Sequence, residues 1–539
     1  MKNKKLVTFL YTTLFVITLI ALIVLFSVHF IKEAFGSVTL SQILFHLRIG
    51  VGETGISPEL EATIIETLTR LLFSVALLSF LAWIGWRYDS YQEIIKSLKS
   101  AFIKIKNITI CIKSKTFLLI RNLLNKLKAL IKRFPLLTRP VLLVILISIS
   151  VIFYSLKTAE RRLQLSDYLL QESSTWLQEN FAVLDTSYIK HISGKKRNLI
   201  LVFLESVEDG FVDEKIYGEN LIQELSNLKK EGISFNGYQR TVGSRYTMDG
   251  LCALLMGVPL EGAELVDFSR TTKFDVLLRN APSILNLLQN DGYKTSFFVG
   301  SSGKFTQKAN FFEAHGIDRK NIYTREIFQK NGYRLSGELK GSEWGFCDEF
   351  VWSQAKQWIT ENYDKKTPFL TVIETLDTHF PNGFTKAKYR KFGDVRDAFR
   401  AASIMASEFV TWAKQQPWYQ DTTIVFVGDH PWQDQPNDFT NLYTKNSSNR
   451  QIFNLFINSV HKKPTTTNRE WTAMDIAPTI LDSMGIEYRA LINSKTMSNN
   501  QIGIGLSLFS DEKNFIEIYG MDFLWTEMKK KSTFYNSLF

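Results

Sequence analysis

The sequence predicts an α/β domain with a mainly parallel sheet flanked by helices, preceded by a helical membrane anchor of about three transmembrane helices. Two observations lead to this fold class. The N-terminal part of the 539-residue chain contains three long apolar runs, whereas the rest alternates short apolar strands with amphipathic helices. Alternation of strands and helices at this spacing is typical of a parallel sheet covered on both faces.

Three apolar runs near the N-terminus are the predicted membrane spans. They cover Leu6 to about Ile31, about Thr67 to Trp86, and Pro140 to Leu156. The first run follows the basic stretch MKNKK and is not followed by a small-residue cleavage site, so we expect an uncleaved helix and not a signal peptide. We also expect Glu66 and Arg70, four residues apart, to pair at the outer end of the second run.

The net charge of +11 is concentrated in one loop. Between Arg87 and Arg139 the chain has 13 Lys and Arg residues and two acidic ones, so the rest sums to about zero. A basic excess confined to a loop between apolar runs indicates membrane topology, and no nucleic-acid partner is expected. Positive loops stay inside, which predicts a multi-pass protein of the bacterial inner (cytoplasmic) membrane. Everything after about Lys157 then faces the periplasm or outside. Within the loop, mixed lysines and apolar residues predict a helix on anionic lipid headgroups, with a solvated loop as the alternative.

The chain therefore divides into three predicted segments: a membrane anchor (residues 1–157), a helical connector (158–195) and an extracytoplasmic catalytic domain (196–539). Three cysteines are too few for a disulfide framework; Cys252 and Cys347 are expected to be buried free thiols, although the sequence leaves their pairing open. The predicted strands are Asn198–Leu204, Thr295–Val299, Phe369–Glu374, Thr423–Val427, Ile452–Ile457 and Phe515–Tyr519. The predicted helices are Asn220–Lys230, Thr247–Met256, Ala281–Asn290, Asp394–Gln415 and Ala473–Met484.

Polar residues follow several of the predicted strands at the point where each strand ends. Glu205 follows NLILVFL, Asp429 and His430 follow TTIVFVG, and Asp377 and His379 come shortly after PFLTVIE. In open parallel sheets, ligands bind beyond the carboxyl ends of the strands. Each residue alone is an ordinary loop residue, but together they predict a site at this edge of the sheet.

The stretch RTVGSRYTMDGLCALLMGVPL adds a hydroxyl at the start of an apolar helix. Thr247 lies at or beside the helix start, where backbone N–H groups lack intrahelical partners and the dipole adds partial positive charge. A hydroxyl there can meet an anionic phosphoryl group. The alternative is an ordinary helix cap, which is the commoner role of such a threonine. With Glu205, Asp429 and His430, Thr247 would complete a four-ligand site for one divalent cation.

The motifs around these residues resemble those of a known family. In chain order they are LVFLES, GSRYTMDG, FFEAHGID, LDTHFPNGF, VFVGDH, MDIAPTILDSMGI and GIGLSLF. The chain is similar to the membrane-anchored branch of the alkaline phosphatase and sulfatase superfamily, which includes lipoteichoic acid synthases and phosphoglycerol transferases acting on periplasmic glucans. The resemblance covers nearly all of the soluble domain and implies an alkaline phosphatase/sulfatase-like fold. DTHFPNGF and GIGLSLF are more similar to the glucan phosphoglycerol transferases.

The resemblance also implies catalytic and metal-binding roles. It makes Thr247 the nucleophile and a metal ligand, with Glu205, Asp429 and His430 as the remaining ligands. His379 becomes a catalytic group that also binds substrate near the transferred phosphate. Three oxygen ligands and one imidazole form a hard set that suits Mn²⁺ or Mg²⁺ without excluding Zn²⁺, and the resemblance favours Mn²⁺.

The substrate pocket departs from the family pattern. Trp344 in EWGFCDEF lies in a segment found near such sites. Lipoteichoic acid synthases hold glycerol phosphate with a Trp-x-Arg pair, whereas the corresponding segment KFTQKANFF has Thr306 and Lys308 at those positions. Lys308 would meet a phosphate as a point charge without the two-pronged geometry of arginine.

These observations predict metal-dependent transfer of a phosphoglycerol headgroup from phosphatidylglycerol to a cell-envelope glycan through a phospho-threonine intermediate. The alternatives are a phosphoethanolamine transferase acting on lipopolysaccharide or another envelope glycan, and a catalytically dead envelope scaffold. The C/S-x-P-x-R motif of formylglycine sulfatases does not occur in the sequence, so sulfate-ester hydrolysis is not expected. The acceptor and the oligomeric state stay open.

Overall fold

The computed structural model describes residues 2–35, 40, 58–86, 140–164, 166, 172–260, 276–380, 382–433, 438–444, 450–462, 468–493 and 495–539. The described chain forms two units, one N-terminal and one containing the rest. The predicted basic loop between Arg87 and Arg139 lies outside the described residues. Its lipid-surface helix therefore stays a prediction.

The described residues of the N-terminal unit form three helices at the positions of the three predicted spans. They are α1 (Lys2–Phe35), α2 (Pro58–Trp86) and α3 (Pro140–Leu163), and each contacts the other two. Two of them, α1 and α2, contain stretches long and apolar enough to cross a membrane by length and composition. The last turns of α3 are charged, so a third span stays a prediction. The predicted pair between Arg70 and Glu66 is confirmed, with Nη2 2.5 Å from Oε1.

The second unit is built on a seven-stranded sheet in the order β3-β9-β8-β2-β7-β5-β6. The pairs β2/β7, β2/β8, β5/β7 and β5/β6 are parallel, and β8/β9 and β3/β9 are antiparallel, so the predicted mainly parallel sheet is confirmed. Three smaller sheets, β1-β11-β12, β4-β10 and β13-β14, accompany it. The strands are β1 (Ala182–His191), β2 (Asn198–Leu204), β3 (Gly232–Ile233), β4 (Asn236–Tyr238), β5 (Lys294–Val299), β6 (Ile322–Tyr323), β7 (Phe369–Glu374), β8 (Thr422–Gly428), β9 (Asn454–Ile457), β10 (Asn468–Trp471), β11 (Ile486–Ile492), β12 (Thr496–Ser498), β13 (Gln501–Ile502) and β14 (Gly505–Leu506).

Helices cover both faces of the large sheet. They are α4 (Trp176–Asn180), α5 (Glu214–Tyr217), α6 (Gln223–Leu228), α7 (Thr247–Met256), α8 (Ile284–Asn290), α9 (Lys308–Ala314), α10 (Arg325–Lys330), α11 (Asp348–Asn362), α12 (Arg396–Lys414), α13 (Asp438–Thr444), α14 (Ile476–Ser483), α15 (Phe515–Tyr519), α16 (Met521–Met528) and α17 (Thr533–Ser537). Alternate residues of β2 enter different cores: Leu201 and Phe203 pack with α7, α8 and α14, whereas Val202 packs with α11 and α12. Because both faces are covered, the central strands are continuously apolar, as in other parallel sheets.

Two sequence predictions about secondary structure are wrong. Phe515–Tyr519 is helix α15 and not a strand, because Asn514 and Glu517 form a capping box in which each side chain accepts the other's backbone N–H. The connector is not helical throughout, since β1 occupies Ala182–His191 and pairs antiparallel with β11. The predicted helix Asn220–Lys230 is shorter, because the Asn220 side chain accepts the N–H of Ile222 in a turn before α6 begins.

Candidate metal and nucleophile site

The carboxyl ends of β2 and β8 bring the predicted acidic residues together. The two strands are parallel neighbours, and Leu204 lies opposite Gly428 in their register. The next residues, Glu205 and Asp429, therefore leave the sheet side by side. One ligand atom from each of Glu205, Asp429 and His430 lies within 4.8 Å of the others, and all three side chains are buried.

Ser206 ties these ends together. Its N–H donates to Asp429 Oδ1 at 2.9 Å, and its hydroxyl donates to Glu205 Oε1 at 2.7 Å. The N–H of His430 reaches the same Asp429 oxygen at 2.8 Å. Ser206 has a left-handed φ of 55°, which costs free energy for a residue with a side chain and is typical of functional sites. The sequence analysis missed Ser206, although it directly follows a candidate ligand.

Thr247 joins this cluster. It is the first residue of α7, and its hydroxyl donates to Glu205 Oε2 at 3.2 Å. The helix cap is Tyr246, which makes no side-chain capping bond, so the Thr247 hydroxyl faces the carboxylate cluster and does not cap the helix. Thr247 is partly exposed, whereas the three residues around it in the cluster are buried. The structure thus brings Thr247 into contact with the cluster of the other three predicted ligands.

The electrostatics of the cluster depend on one imidazole beside two carboxylates. Burial by itself raises the pKa of Glu205, but the charge of His430 and hydrogen bonds from it and from Ser206 outweigh burial and lower that pKa. Burial and the charge of Glu205 together raise the pKa of Asp429. Burial lowers the pKa of His430, yet the two carboxylates more than compensate and raise it. The arrangement favours a positive charge held among these three side chains.

The donor atoms fit a divalent cation. Within the described ranges, Asp429 Oδ2 accepts no hydrogen bond although it is buried, which is costly unless a cation lies nearby. His430 Nδ1 lies 2.9 Å from the carbonyl of Pro431, whereas Nε2 lies 3.4 Å from both Glu205 Oε1 and Asp429 Oδ2. A hydrogen bond from Nδ1 to a carbonyl is the usual way a protein orients a metal-binding histidine. Glu205, Thr247, Asp429 and His430 are therefore the residues able to hold such an ion.

His379 and Trp344 lie together beside this cluster. Their rings are 4.7 Å apart, and Phe305 packs on Trp344 at 5.7 Å. His379 Nδ1 lies 2.6 Å from the carbonyl of Phe380, which leaves Nε2 for another partner. The charge of His379 also lowers the pKa of Glu205, so His379 is electrostatically part of the site. Phe305 was not predicted; its position in KFTQKANFF was the only signal in the sequence.

Lys308 is held by a second acidic residue at a strand end. Its ammonium group forms an ion pair with Glu374, the last residue of β7, and both side chains are buried. Burial raises the pKa of Glu374, and the charge of Lys308 opposes this effect. A contact between Lys308 and a substrate phosphate stays a prediction. Thr306, two residues earlier, has a left-handed φ of 50°. Glu374 was not predicted as a site residue, although it is the last residue of β7 and Glu205 is likewise the first residue after β2.

Asp377 is hydrogen-bonded to Asp348 at the start of α11. Its Oδ2 accepts the N–H of Asp348 at 2.9 Å, and Asp348 in turn accepts the N–H groups of Leu376 and Asp377 at 2.7 and 3.0 Å. These bonds join the start of α11 to the loop that carries His379. Burial raises the pKa values of both carboxyls, and each carboxyl's closeness to other acidic groups adds to the effect. Asp377 is therefore a residue that fixes the position of the loop.

Glu208 fixes the loop that follows His430. Its Oε1 accepts the N–H of Trp432 at 2.6 Å, and its Oε2 accepts Nε of Arg450 at 3.0 Å. Arg450 also donates to the carbonyl of Trp432 at 2.6 Å. Burial raises the pKa of Glu208 to about 7 against the opposing charge of Arg450. The sequence analysis missed this residue, since a second glutamate in LESVE carries no distinctive signal.

The two buried thiols are separate from this chemistry. Cys252 and Cys347 are both buried and free, so the prediction of unpaired thiols is confirmed for these two residues. Burial raises the pKa of each thiol, which keeps both in the unreactive protonated form.

Comparisons with known proteins agree with the motifs. Phosphoglycerol transferase I of Salmonella choleraesuis is 28% identical over 349 residues, which are 62% of this chain and 42% of that protein. The chain thus spans about two fifths of the length of this relative. Two solved structures also align. A protein in the alkaline phosphatase superfamily from Vibrio parahaemolyticus is 19% identical, with a TM-score of 0.47 over 65% of this chain and 78% of its own. The lipoteichoic acid synthase LtaP from Listeria monocytogenes is 20% identical, with a TM-score of 0.46 over 62% and 80%.

The family itself is shown by a match to a family profile. The profile of the Sulfatase family covers residues 197–486, more than half of the chain. The matched region begins with β2 and ends at the start of β11, so it contains all four residues of the cluster. The chain is a member of the Sulfatase family, with the alkaline phosphatase/sulfatase-like fold that its motifs predict.

Proposed function

We propose that this protein is a metal-dependent phosphotransferase that moves a phosphoglycerol headgroup from phosphatidylglycerol to a cell-envelope glycan, with Thr247 as the nucleophile. The observation that carries the proposal is the hydroxyl of the partly exposed residue Thr247, 3.2 Å from Glu205 and next to a buried cluster of two carboxylates and one imidazole. The name of the relative from Salmonella choleraesuis, phosphoglycerol transferase I, supports the choice of headgroup.

The residues of the site suit a two-step transfer. A divalent ion, when bound by Glu205, Thr247, Asp429 and His430, supplies positive charge that makes the hydroxyl more acidic and offsets charge on the phosphoryl group. The Thr247 hydroxyl passes its proton to Glu205, to which it donates a hydrogen bond. Its Oγ1 then forms a bond to phosphorus as the bond from phosphorus to the diacylglycerol oxygen breaks. Diacylglycerol leaves with a proton, for which His379 Nε2 is the available donor. In the second step a sugar hydroxyl of the acceptor passes its proton to His379 Nε2 and forms a bond to phosphorus, while the bond from phosphorus to Thr247 Oγ1 breaks and Thr247 regains its proton from Glu205.

The location of the activity follows from the same proposal. A phospholipid donor requires the site to be close to a bilayer, and α1 and α2 are long and apolar enough to provide an anchor. We therefore assign residues 1–157 to a multi-pass anchor in the bacterial inner membrane and residues 196–539 to a catalytic domain facing the periplasm. Mn²⁺ is the proposed ion: the mainly oxygen donor set suits Mn²⁺ or Mg²⁺ without excluding Zn²⁺, and the family resemblance favours Mn²⁺. A phosphoethanolamine headgroup is the alternative outcome of the test below.

The test compares three forms of the full chain: wild type, Thr247→Ala and Thr247→Ser. Each is incubated with phosphatidylglycerol or phosphatidylethanolamine in vesicles. The mass of the peptide containing residue 247 is then measured by mass spectrometry. We expect a phosphoglycerol adduct on wild type and on the serine variant, and none on the alanine variant. An adduct of phosphoethanolamine mass would replace the proposed donor, and undiminished headgroup transfer by Thr247→Ala would disprove the mechanism.

A further inference from the structure

A group of aromatic and aliphatic side chains lies on the surface of the second unit. We call it the aromatic surface and define it by Trp176, Phe515, Ile518, Tyr519 and Phe523. The Trp176 ring contacts Phe515, Tyr519 and Phe523 edge-on at centroid distances of 5.3, 6.1 and 5.8 Å. Ile518 is 53% exposed and Tyr519 44% exposed. Soluble proteins rarely leave such adjoining apolar groups in water without a binding partner.

Two basic side chains, which we call the basic border, lie beside Trp525 on the helix that also carries Phe523 of the aromatic surface. Trp525 on α16 has Lys529 Nζ 5.6 Å from its ring and Arg245 Cζ 5.8 Å from it. Lys529 begins a run of three consecutive lysines. Trp, Tyr and Phe beside Lys and Arg is the composition of protein surfaces that lie in the headgroup region of a bilayer. Arg245 precedes Thr247 by two residues, so this border adjoins the nucleophile.

The chain enters the second unit at this surface. The N–H of Lys531 donates to the carbonyl of Glu172, and the N–H of Ser174 donates to the carbonyl of Lys531, both at 2.8 Å. The Ser174 hydroxyl also donates to Glu527 at 2.6 Å. Only eight residues, 164–171, separate Glu172 from the end of α3, the third predicted span.

We propose that the aromatic surface lies in the headgroup region of an anionic bilayer, with Lys529 and Arg245 against lipid phosphates. The aliphatic and aromatic side chains would remove apolar area from water, and these two basic side chains would be attracted to the anionic headgroups. The arrangement orients the second unit so that the Thr247 side faces the lipid. This proposal concerns how the second unit meets a membrane, and it does not depend on which headgroup the site transfers.

The proposal is tested by spin labels on two matched isoleucines. Ile518→Cys places a label on the aromatic surface. Ile192→Cys, 61% exposed, places one beyond the far end of β1, a ten-residue strand roughly 30 Å long. Both are made in the full chain carrying Cys111→Ser and reconstituted in vesicles of phosphatidylglycerol and phosphatidylcholine. Cys252 and Cys347 are buried, and labelling of the Cys111→Ser parent measures their background.

Accessibility to oxygen and to a water-soluble nickel complex reports the depth of each label. We expect the label at 518 to gain oxygen contact and lose nickel contact, as in the headgroup region, while the label at 192 behaves as in water. Two labels with equal, water-like accessibility would overturn the proposal. Shielding of residue 518 from both reagents would also overturn it, because a protein partner would then cover the surface. The measurement needs no turnover, so it stands or falls independently of the proposed headgroup transfer.

Discussion

Gly250→Ala tests whether the position of α7 against β8 sets the geometry of the candidate site. Gly250 lies in the first turn of α7, three residues after Thr247, and has an ordinary helical backbone. A glycine is needed there because a side chain would collide with a neighbouring backbone, and not because the residue has a positive φ. An added Cβ would lie 2.9 Å from the carbonyl carbon of Asp429 and closer still to its oxygen. The helix that carries the nucleophile therefore touches the backbone of a proposed metal ligand directly.

The expected effect on activity is larger than the effect on stability. Ordinary van der Waals separation requires α7 and the end of β8 to move apart by on the order of 1 Å. Overpacking costs about 1–3 kcal/mol, and the better helix propensity of alanine returns about 1 kcal/mol. The free energy of unfolding should thus fall by no more than about 2 kcal/mol. A displacement of about 1 Å between reacting groups, by contrast, lowers a rate by about 100-fold.

The assay measures headgroup transfer, metal affinity by calorimetry and thermal unfolding on the same preparation. Ile359→Val is the matched control, since Ile359 is fully buried in α11 near its far end and the change costs about 1 kcal/mol without touching the site. We expect Gly250→Ala to lose about 100-fold in transfer rate and to bind the ion more weakly, and the control to keep both properties. Wild-type rate and metal affinity in Gly250→Ala would refute the reasoning.

Three further predictions concern buried polar groups. Lys308→Met leaves the carboxylate of Glu374 buried without its cation, and we expect the unfolding free energy measured by urea denaturation to fall by about 3 kcal/mol. Adding Glu374→Gln should restore most of this loss. A Lys308→Met variant as stable as wild type would contradict the prediction. His315 is buried with Nε2 2.8 Å from the carbonyl of Leu277, and burial lowers its pKa to about 4. The neutral imidazole therefore contributes about 3 kcal/mol to the free energy of unfolding above pH 6.5, and this contribution is lost as the pH falls from 6.5 towards 4. His315→Gln should make the free energy of unfolding less dependent on pH in that window. An unchanged slope would show that His315 is not the cause of the pH dependence. Arg469→Met removes hydrogen bonds to three C-terminal residues, and amide exchange after residue 510 should speed up while exchange in β2 stays as in wild type.

The central strands and the acidic residues after them were predictable because both depend on local sequence. NLILVFLE and TTIVFVGDH are continuous apolar runs that stop at a polar residue, and parallel pairing then places Glu205 and Asp429 at one edge. Thr247 was predictable for a similar reason, since an apolar helix begins at it. These features need no knowledge of distant residues.

The errors and omissions have a different physical origin. The strand β1 has its partner β11 about 300 residues later, so nothing near Ala182–His191 reveals the pairing. FIEIY has the apolar content of a strand, and the capping box at Asn514 decides in favour of helix α15. The pairing of Lys308 with Glu374 arises only when α9 packs against the end of β7, and the sequence gives no distance between them.

The shared register of β2 and β8 has a consequence for changes in chain length. Ser206 and Asp429 are hydrogen-bonded although they are 223 positions apart, and the connection between them runs through loops and helices outside the two strands. Insertions in those connections leave the two strand ends where they are. One residue inserted into either strand would turn its terminal carboxylate towards the opposite face of the sheet, because side chains alternate along a strand. Homologous chains can therefore differ widely in loop length around this site, whereas the lengths of β2 and β8 should be fixed.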